Sequence, residues 1–296
     1  MPFLGEFSAL LTAVLWSFTS IAFSHAANKI GSIQLNMNRL LLAALFLFLT
    51  IIIFNISYHL SYNQVLCLSA SGIIGLVIGD SFLFKAYQQI GARLSILLMS
   101  FAPGLSALMG YLFLSEKFSF LGIIGMIVTL MGVIIVVSEK NNSPEAKYKL
   151  NALGFFNGFM GAVGQAGGLV FAKLAFDQGE INGFVATFIR IFSSILLFLP
   201  VLLIFRRYNN PIKTYKNNSK ALVSTLGGTI SGPYLGITFS MIAVANTNVG
   251  IAATLMSTMP VIMLPLVKYF YKDKLSWRAV IGAVITVAGV AILFLR

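Results

Sequence analysis

Residues 98–103 read Leu-Met-Ser-Phe-Ala-Pro, and residues 255–260 read Leu-Met-Ser-Thr-Met-Pro. The offset between them, 157 positions as from Leu98 to Leu255, holds over much of each half of the chain. Upstream it pairs Gly75 with Gly232, Gly79 with Gly236, Phe82 with Phe239 and Ala86 with Ala243. Downstream it pairs Lys117 with Lys274, Ser119 with Ser276, Gly125 with Gly282, Thr129 with Thr286 and Gly132 with Gly289. Earlier in each half the offset is slightly smaller, with Gly5 opposite Gly154 and Arg39 opposite Arg190. Apolar composition alone can set Leu against Ile, but not Pro, Lys and several Gly in order. The chain is an internal duplication.

Between these landmarks the sequence is a series of long apolar blocks. Of 296 residues, 58% are apolar and 9% charged, whereas a soluble domain carries roughly 25% charged residues. A bilayer crossing needs ~20 apolar residues. Ten blocks meet that need: 4–23, 33–54, 65–87, 93–114 and 119–138, then 151–175, 183–205, 222–244, 249–271 and 277–295. Helix is forced, because backbone in lipid must satisfy its own hydrogen bonds and the blocks are too long for barrel strands. The expectation is an all-α membrane protein with one five-helix repeat over 1–138, a polar linker over 139–149 and a second repeat over 150–296. An odd number of crossings per unit brings the second copy in from the opposite side. Ten transmembrane helices in two inverted five-helix repeats therefore follow, an architecture of transporters with their site near the midplane.

Several chemistries are excluded. Cys67 is the only cysteine, so neither an intramolecular disulfide nor a thiolate metal cluster can form. His25 and His59, the only histidines, read as loop residues, and no metal site or cofactor is expected. The net charge of +12 resides in loops without interleaved aromatics, which points to the bilayer surface and not to nucleic acid. Loops after odd-numbered helices hold 15 cations and the opposite side 3, with Arg39 and Arg190 inside spans. The positive-inside rule then puts the rich side in the cytoplasm and both termini outside, in a multi-pass protein of a bacterial inner or plasma membrane. The first cation is Lys29, so the first block lacks the basic start of a signal peptide and is expected to be a mature helix.

The ends of the two repeats carry a family resemblance. Leu114-Ser115-Glu116-Lys117 through Gly125 and Gly132, and Tyr271-Lys272-Asp273-Lys274 through Gly282 and Gly289, resemble the close of an EamA domain. So do Met99–Pro103, Met256–Pro260 and Gly79-Asp80-Ser81 running into Ile90-Gly91-Ala92. The whole chain is similar to two tandem EamA units of the drug/metabolite transporter superfamily, with the match strongest in the last three helices of each half. The family usually has Gly-Glu where this chain has Tyr271-Lys272-Asp273. The resemblance implies a ten-helix carrier of small metabolites with a central cavity.

Within the spans, small and polar residues are the candidates. The pairs Gly154/Gly158 and Gly164/Gly168 in the sixth span, the run Gly228, Gly232 and Gly236 in the eighth, and the pair Gly75/Gly79 in the third have glycines four apart. Such spacing permits close helix approach, either as plain packing or as a sliding surface. Pro103 and Pro260 occupy equivalent mid-span places and read as helix hinges; Pro265 follows Pro260 by five residues, and Pro233 is mid-span in the eighth helix. Arg39 and Arg190 either snorkel to an interface or serve as cavity cations for an anionic group. Asp80, about fifteen residues into the third span, is costly there and is expected to act in coupling or to pair with a cationic substrate. Its alternative role is an internal hydrogen bond that holds the third helix. Lys85, Lys173 and Lys268 read as snorkelling, and Glu6 as an interfacial cap. Trp16, Gln165, Tyr87, Gln88, Tyr234, Asn246 and Asn248 are candidate cavity polar groups.

These residues point to a secondary transporter of a small organic metabolite, amino-acid-like or drug-like, working by alternating access. No Gly-x-x-x-x-Gly-Lys-Ser/Thr run is present, so proton coupling or substrate exchange remains as the driving force. The alternative is a membrane-embedded enzyme acting on a lipid-linked substrate, which needs a nucleophile with its base or a metal. No catalytic constellation is visible, and no enzyme is expected. The partners are a small-molecule substrate and the lipid bilayer.

Overall fold

The computed structural model describes residues 3–138, 151–216, 218–262, 264 and 276–295, and all regular structure among them is helical. The linker expected over Glu139–Lys149, and Pro265, Lys268 and Tyr271–Lys274 of the second repeat, lie outside these residues. Helices follow in order as α1 (Leu4–Ile30), α2 (Ser32–Ile53), α3 (Tyr62–Gly72), α4 (Asp80–Met99), α5 (Ala102–Leu114) and α6 (Phe120–Ser138). The second half has α7 (Ala152–Phe176), α8 (Gly183–Ile204), the short α9 (Pro211–Lys216), α10 (Ser219–Thr229), α11 (Ile237–Asn246), α12 (Val249–Met256) and α13 (Trp277–Phe294). Their starts are locally encoded. Ser61 and Gln64 form a reciprocal capping box on α3, Asn151 caps α7 and Asn182 caps α8. The repeat-equivalent Ser119 and Ser276 accept from the backbone N–H groups of Gly122 and Ala279.

Eight helical stretches are long and apolar enough to cross a membrane, among them Tyr62–Gly91 and Ser219–Asn246. The fourth expected span of each half departs from a single helix. The segment from Gly91 to Met99 continues α4 beyond a non-helical Gly91 (φ 77), and a turn at 100–101 precedes α5. The 13 residues of α5 rise only about 20 Å, against ~30 Å of hydrocarbon. In the second half α12 likewise ends at Met256, before a turn at 257–258. Pro103 therefore lies in the first turn of α5, where its missing N–H leaves no bond unmade. Pro260 lies just beyond the matching turn. Both prolines follow a break and do not kink a continuous helix. Two smaller corrections concern histidine and the ends of α1: that helix runs to Ile30 and includes His25, which is not in a loop.

A second shared irregularity is a π-helical segment, Ile73–Gly79 in one half and Ile230–Gly236 in the other, at the 157-residue offset. The N–H of Asp80 donates to the Gly75 carbonyl, and that of Ile237 to Gly232. Pro233 has no N–H to sustain a regular ladder; in the first half, glycines let α7 press against the widened turn.

The halves exchange contacts. Thr129 on α6 faces Gly289 on α13, and Gly132 faces Thr286; a Cβ on either glycine would collide with its threonine. Gly75 faces Gly168, while Gly232 faces the corresponding Thr19. Reciprocal contacts of this kind are the signature of a two-fold relation. The described loops sort to two ends. Gln34 and Asn38 at the start of α2 bond to Asn209, Tyr208 and Tyr215 in the cation-rich segment after α8. At the other end Glu6 accepts from Thr247, Gln64 donates to Gly179, and Asn248 donates to Lys117.

Candidate functional site

Between the halves lies a cavity of about 160 Å³. Its wall is built in repeat-equivalent pairs: Trp16 with Gln165, Arg39 with Arg190, Asp80 with Ile237, Leu83 with Ser240, Ser100 with Ser257 and Pro103 with Pro260. Position is symmetric, but chemistry is not. Among the described residues only the first half contributes a carboxylate.

Asp80 closes the first π-helical segment and pairs through Oδ2 with Nη2 of Arg39. Arg39 does not snorkel; it is 4% exposed. Its Nε and Nη2 donate to Asn36 Oδ1 at 3.0 and 2.8 Å, one turn earlier on α2. Asn36 is held in turn by donating to the Leu76 carbonyl (3.2 Å) and Ser81 Oγ (3.3 Å). The guanidinium carbon lies 4.9 Å from the Phe84 ring centroid and 5.7 Å from that of Phe23, within cation–π range. Arg39 is thus charge-paired, hydrogen-bonded and stacked at once.

Arg190 is 3% exposed and does not snorkel either. Its Nη1 meets Met241 Sδ at 2.9 Å, a weak acceptor. Its Nε has no hydrogen-bond partner among the described residues. Thr187 stands where Asn36 stands for Arg39, and its hydroxyl donates back to Gly183 instead.

Of the sequence candidates, Asp80, Trp16, Arg39, Gln165, Arg190, Pro103 and Pro260 line the cavity. Tyr87 does as well. Tyr234 and Asn246 do not. Tyr234 shares a 2.8 Å hydrogen bond with Thr50 and packs on Phe46 and Phe184. Asn246, at the end of α11, donates to the Ile242 carbonyl. Gln88 accepts from Ser32. Asn248 Nδ2 donates to the Lys117 carbonyl, outside the cavity. Glu6 is buried against Thr247, and Lys173 pairs with Asp177 at 3.5 Å.

One acidic residue carries more structure than its loop position suggested. Glu116 Oε1 accepts from the Val249 N–H at 2.8 Å, tying the end of α5 to the start of α12 across the halves. Its Oε2 lies over Gly110 with no hydrogen-bond partner among the described residues. The Ser-Glu-Lys run was the signal; its partner half, Asp273, lies outside the described residues. Burial raises the Glu116 carboxyl above the ordinary 4.5, and the Val249 N–H opposes this. A raised carboxyl favours the folded state fully below the unfolded value and loses that favour as pH rises through the folded value. Glu116→Gln should therefore flatten the dependence of melting temperature on pH from about 4.5 upward, in detergent-purified protein. Glu116→Ala should lower stability by about 1–3 kcal/mol by orphaning the Val249 N–H. A wild-type pH slope in Glu116→Gln removes this assignment.

The EamA-like transporter family model matches the chain twice, over residues 3–138 and 152–295. Comparison with curated proteins found no match. Among solved structures 29 chains match. One, described only as "Crystal structure of protein", superposes with a TM-score of 0.75 at 16% identity, over 98% of this chain and 96% of its own. At that identity the likeness concerns the fold alone.

Proposed function

The chain belongs to the EamA-like transporter family and is a multi-pass membrane protein; on that premise we propose that it carries a small organic metabolite across the cell membrane by alternating access. The observation that carries this reading is the cavity between the halves, with walls in repeat-equivalent pairs. Two units that can exchange conformations around a shared site give each side of the membrane access in turn. Ten crossings in two inverted repeats fit the loops, which gather at two ends, and the contacts, which are reciprocal. The symmetric breaks after Met99 and Met256 are where each half would bend.

Proteoliposomes loaded with a metabolite panel should show saturable counterflow without ATP, run with and without a pH gradient to separate proton coupling from exchange. Conversion of a panel member to product, or no counterflow of any by folded protein, overturns the proposal. Orientation is testable separately, in a Cys67→Ser background. An impermeant thiol reagent should label Tyr58→Cys on intact cells and miss Ile212→Cys until the membrane is opened; both native side chains are exposed. The reverse pattern places the cation-rich loops outside.

A further inference from the structure

The charges around the cavity do not balance. Among the described residues three charged side chains line it: Arg39, Asp80 and Arg190. Asp80 is committed to Arg39. Among the described residues Arg190 has no ion-pair partner within 4.0 Å. Its guanidinium sits in space cleared by glycine, with Nη2 3.4 Å from where a Cβ on Gly75 would stand. Asp80 acts on Arg190 only from beyond ion-pair distance and is already paired with Arg39, and a buried cation so weakly compensated is strongly unfavourable. Apart from the Nη1 contact with Met241 Sδ, local structure does not use this side chain. The contacts that fix α8 at this point use the Arg190 backbone: its carbonyl accepts from Ser193 and Ser194 and packs on Gly72. Any residue would supply them.

Resting on the transporter reading, we propose that Arg190 is the anchor for the anionic group of the substrate, and that the cargo is a small organic anion such as a carboxylate. The unsatisfied Nε donor is completed by a carboxylate oxygen, to which arginine presents a planar fork. The apolar body of the cargo lies against Trp16, Phe23, Leu83, Phe84, Met256 and Met259. A cationic cargo is disfavoured, because the wall already carries one excess positive charge. The duplication explains the arrangement. Both halves supply an arginine, but only one of the pair has an aspartate: the counterpart of Asp80 is Ile237, which leaves the second arginine to the ligand.

The test uses full-length protein in detergent with small carboxylates (acetate, benzoate and 4-methylpentanoate) and two isosteres of the last, 4-methylpentanamide and 4-methylpentylamine. At least one carboxylate should raise the melting temperature at up to about 10 mM by binding the folded state, and the amide and amine should not. Arg190→Gln should weaken carboxylate binding roughly 10–100-fold. Without ligand, Arg190→Gln and Arg190→Met should melt at or above the wild-type temperature, since a weakly compensated buried charge has been removed. Both variants melting lower, equal protection by amide and acid, or no protection by any carboxylate, overturns the anion site. Counterflow of the protecting carboxylate separates this inference from the one it rests on. Binding lost in Arg190→Gln, with no counterflow of that carboxylate or of any panel member, overturns transport and keeps the site. Counterflow of the amide or amine that is undiminished in Arg190→Gln overturns the site and keeps transport.

Discussion

Asp80→Asn should abolish transport and strip the protein of much of its thermal stability. From sequence alone, Asn at this position is a mild change: it keeps the size and most hydrogen bonds and removes only charge and titration. The structure alters that expectation, because Asp80 is the counter-charge of Arg39, which is 4% exposed. Removing it leaves two buried guanidinium groups beside one cavity with no carboxylate between them. Breaking a buried pair from one side costs about 3–5 kcal/mol. Arg39→Gln should cost a similar amount, by stranding the carboxylate. The double variant Asp80→Asn with Arg39→Gln should recover most of the melting temperature, since neither charge is then unpaired, and the coupling energy can be read from the cycle. It should not recover transport if the Asp80 carboxylate takes part in coupling. Melting curves in detergent and counterflow across pH report the two effects separately. A single Asp80→Asn protein with wild-type melting, rate and pH profile would reduce the pair to a surface-like interaction of little consequence.

The second large effect is expected from one methyl group. Gly164→Ala places a Cβ 2.5 Å from the Cα and 3.0 Å from the N of Gly79, where α7 crosses the π-helical segment. In Gly72→Ala the Cβ would overlap the carbonyl oxygen of Arg190. In both cases the obstacle is backbone, so no side chain can swing away, and the helices must separate. Overpacking of this kind costs roughly 1–3 kcal/mol or more. It also prises open the interface between the halves, so transport should fall further than stability. Gly104→Ala and Gly227→Ala are the controls, since nothing lies within 4 Å of either added Cβ. They should be neutral or gain up to ~1 kcal/mol of helix propensity. Size-exclusion profiles and melting temperatures of the four variants decide the matter. Equal behaviour across all four would mean that glycine spacing here does not govern packing.

The glycine stripes show how far sequence reading carries. Spacing of four puts Gly164, Gly168, Gly75 and Gly79 on helix faces, and the structure does bring Gly79 to Gly164 and Gly75 to Gly168. Which stripe meets which was not readable, because spacing describes one helix and contact involves two. The hinge residues are similar. Equivalence of Pro103 with Pro260 follows from the offset alone, but that each stands just after a broken turn depends on the backbone. Tyr234 and Asn246 failed as cavity candidates for a rotational reason. A polar residue in an apolar helix can face the cavity, a neighbour or a loop, and Tyr234 faces Thr50.

Membrane class, duplication and the family resemblance were determined by the sequence itself. Apolar transfer energy adds residue by residue along a block, and a repeat is a property of order. Tertiary structure decided the widening of the backbone before Asp80 and Ile237, the commitment of Asp80 to Arg39, and the isolation of Arg190. Those depend on distances between helices far apart in the chain. The 157-residue offset states that two residues are equivalent, but only packing determines which buried charge has a partner within reach.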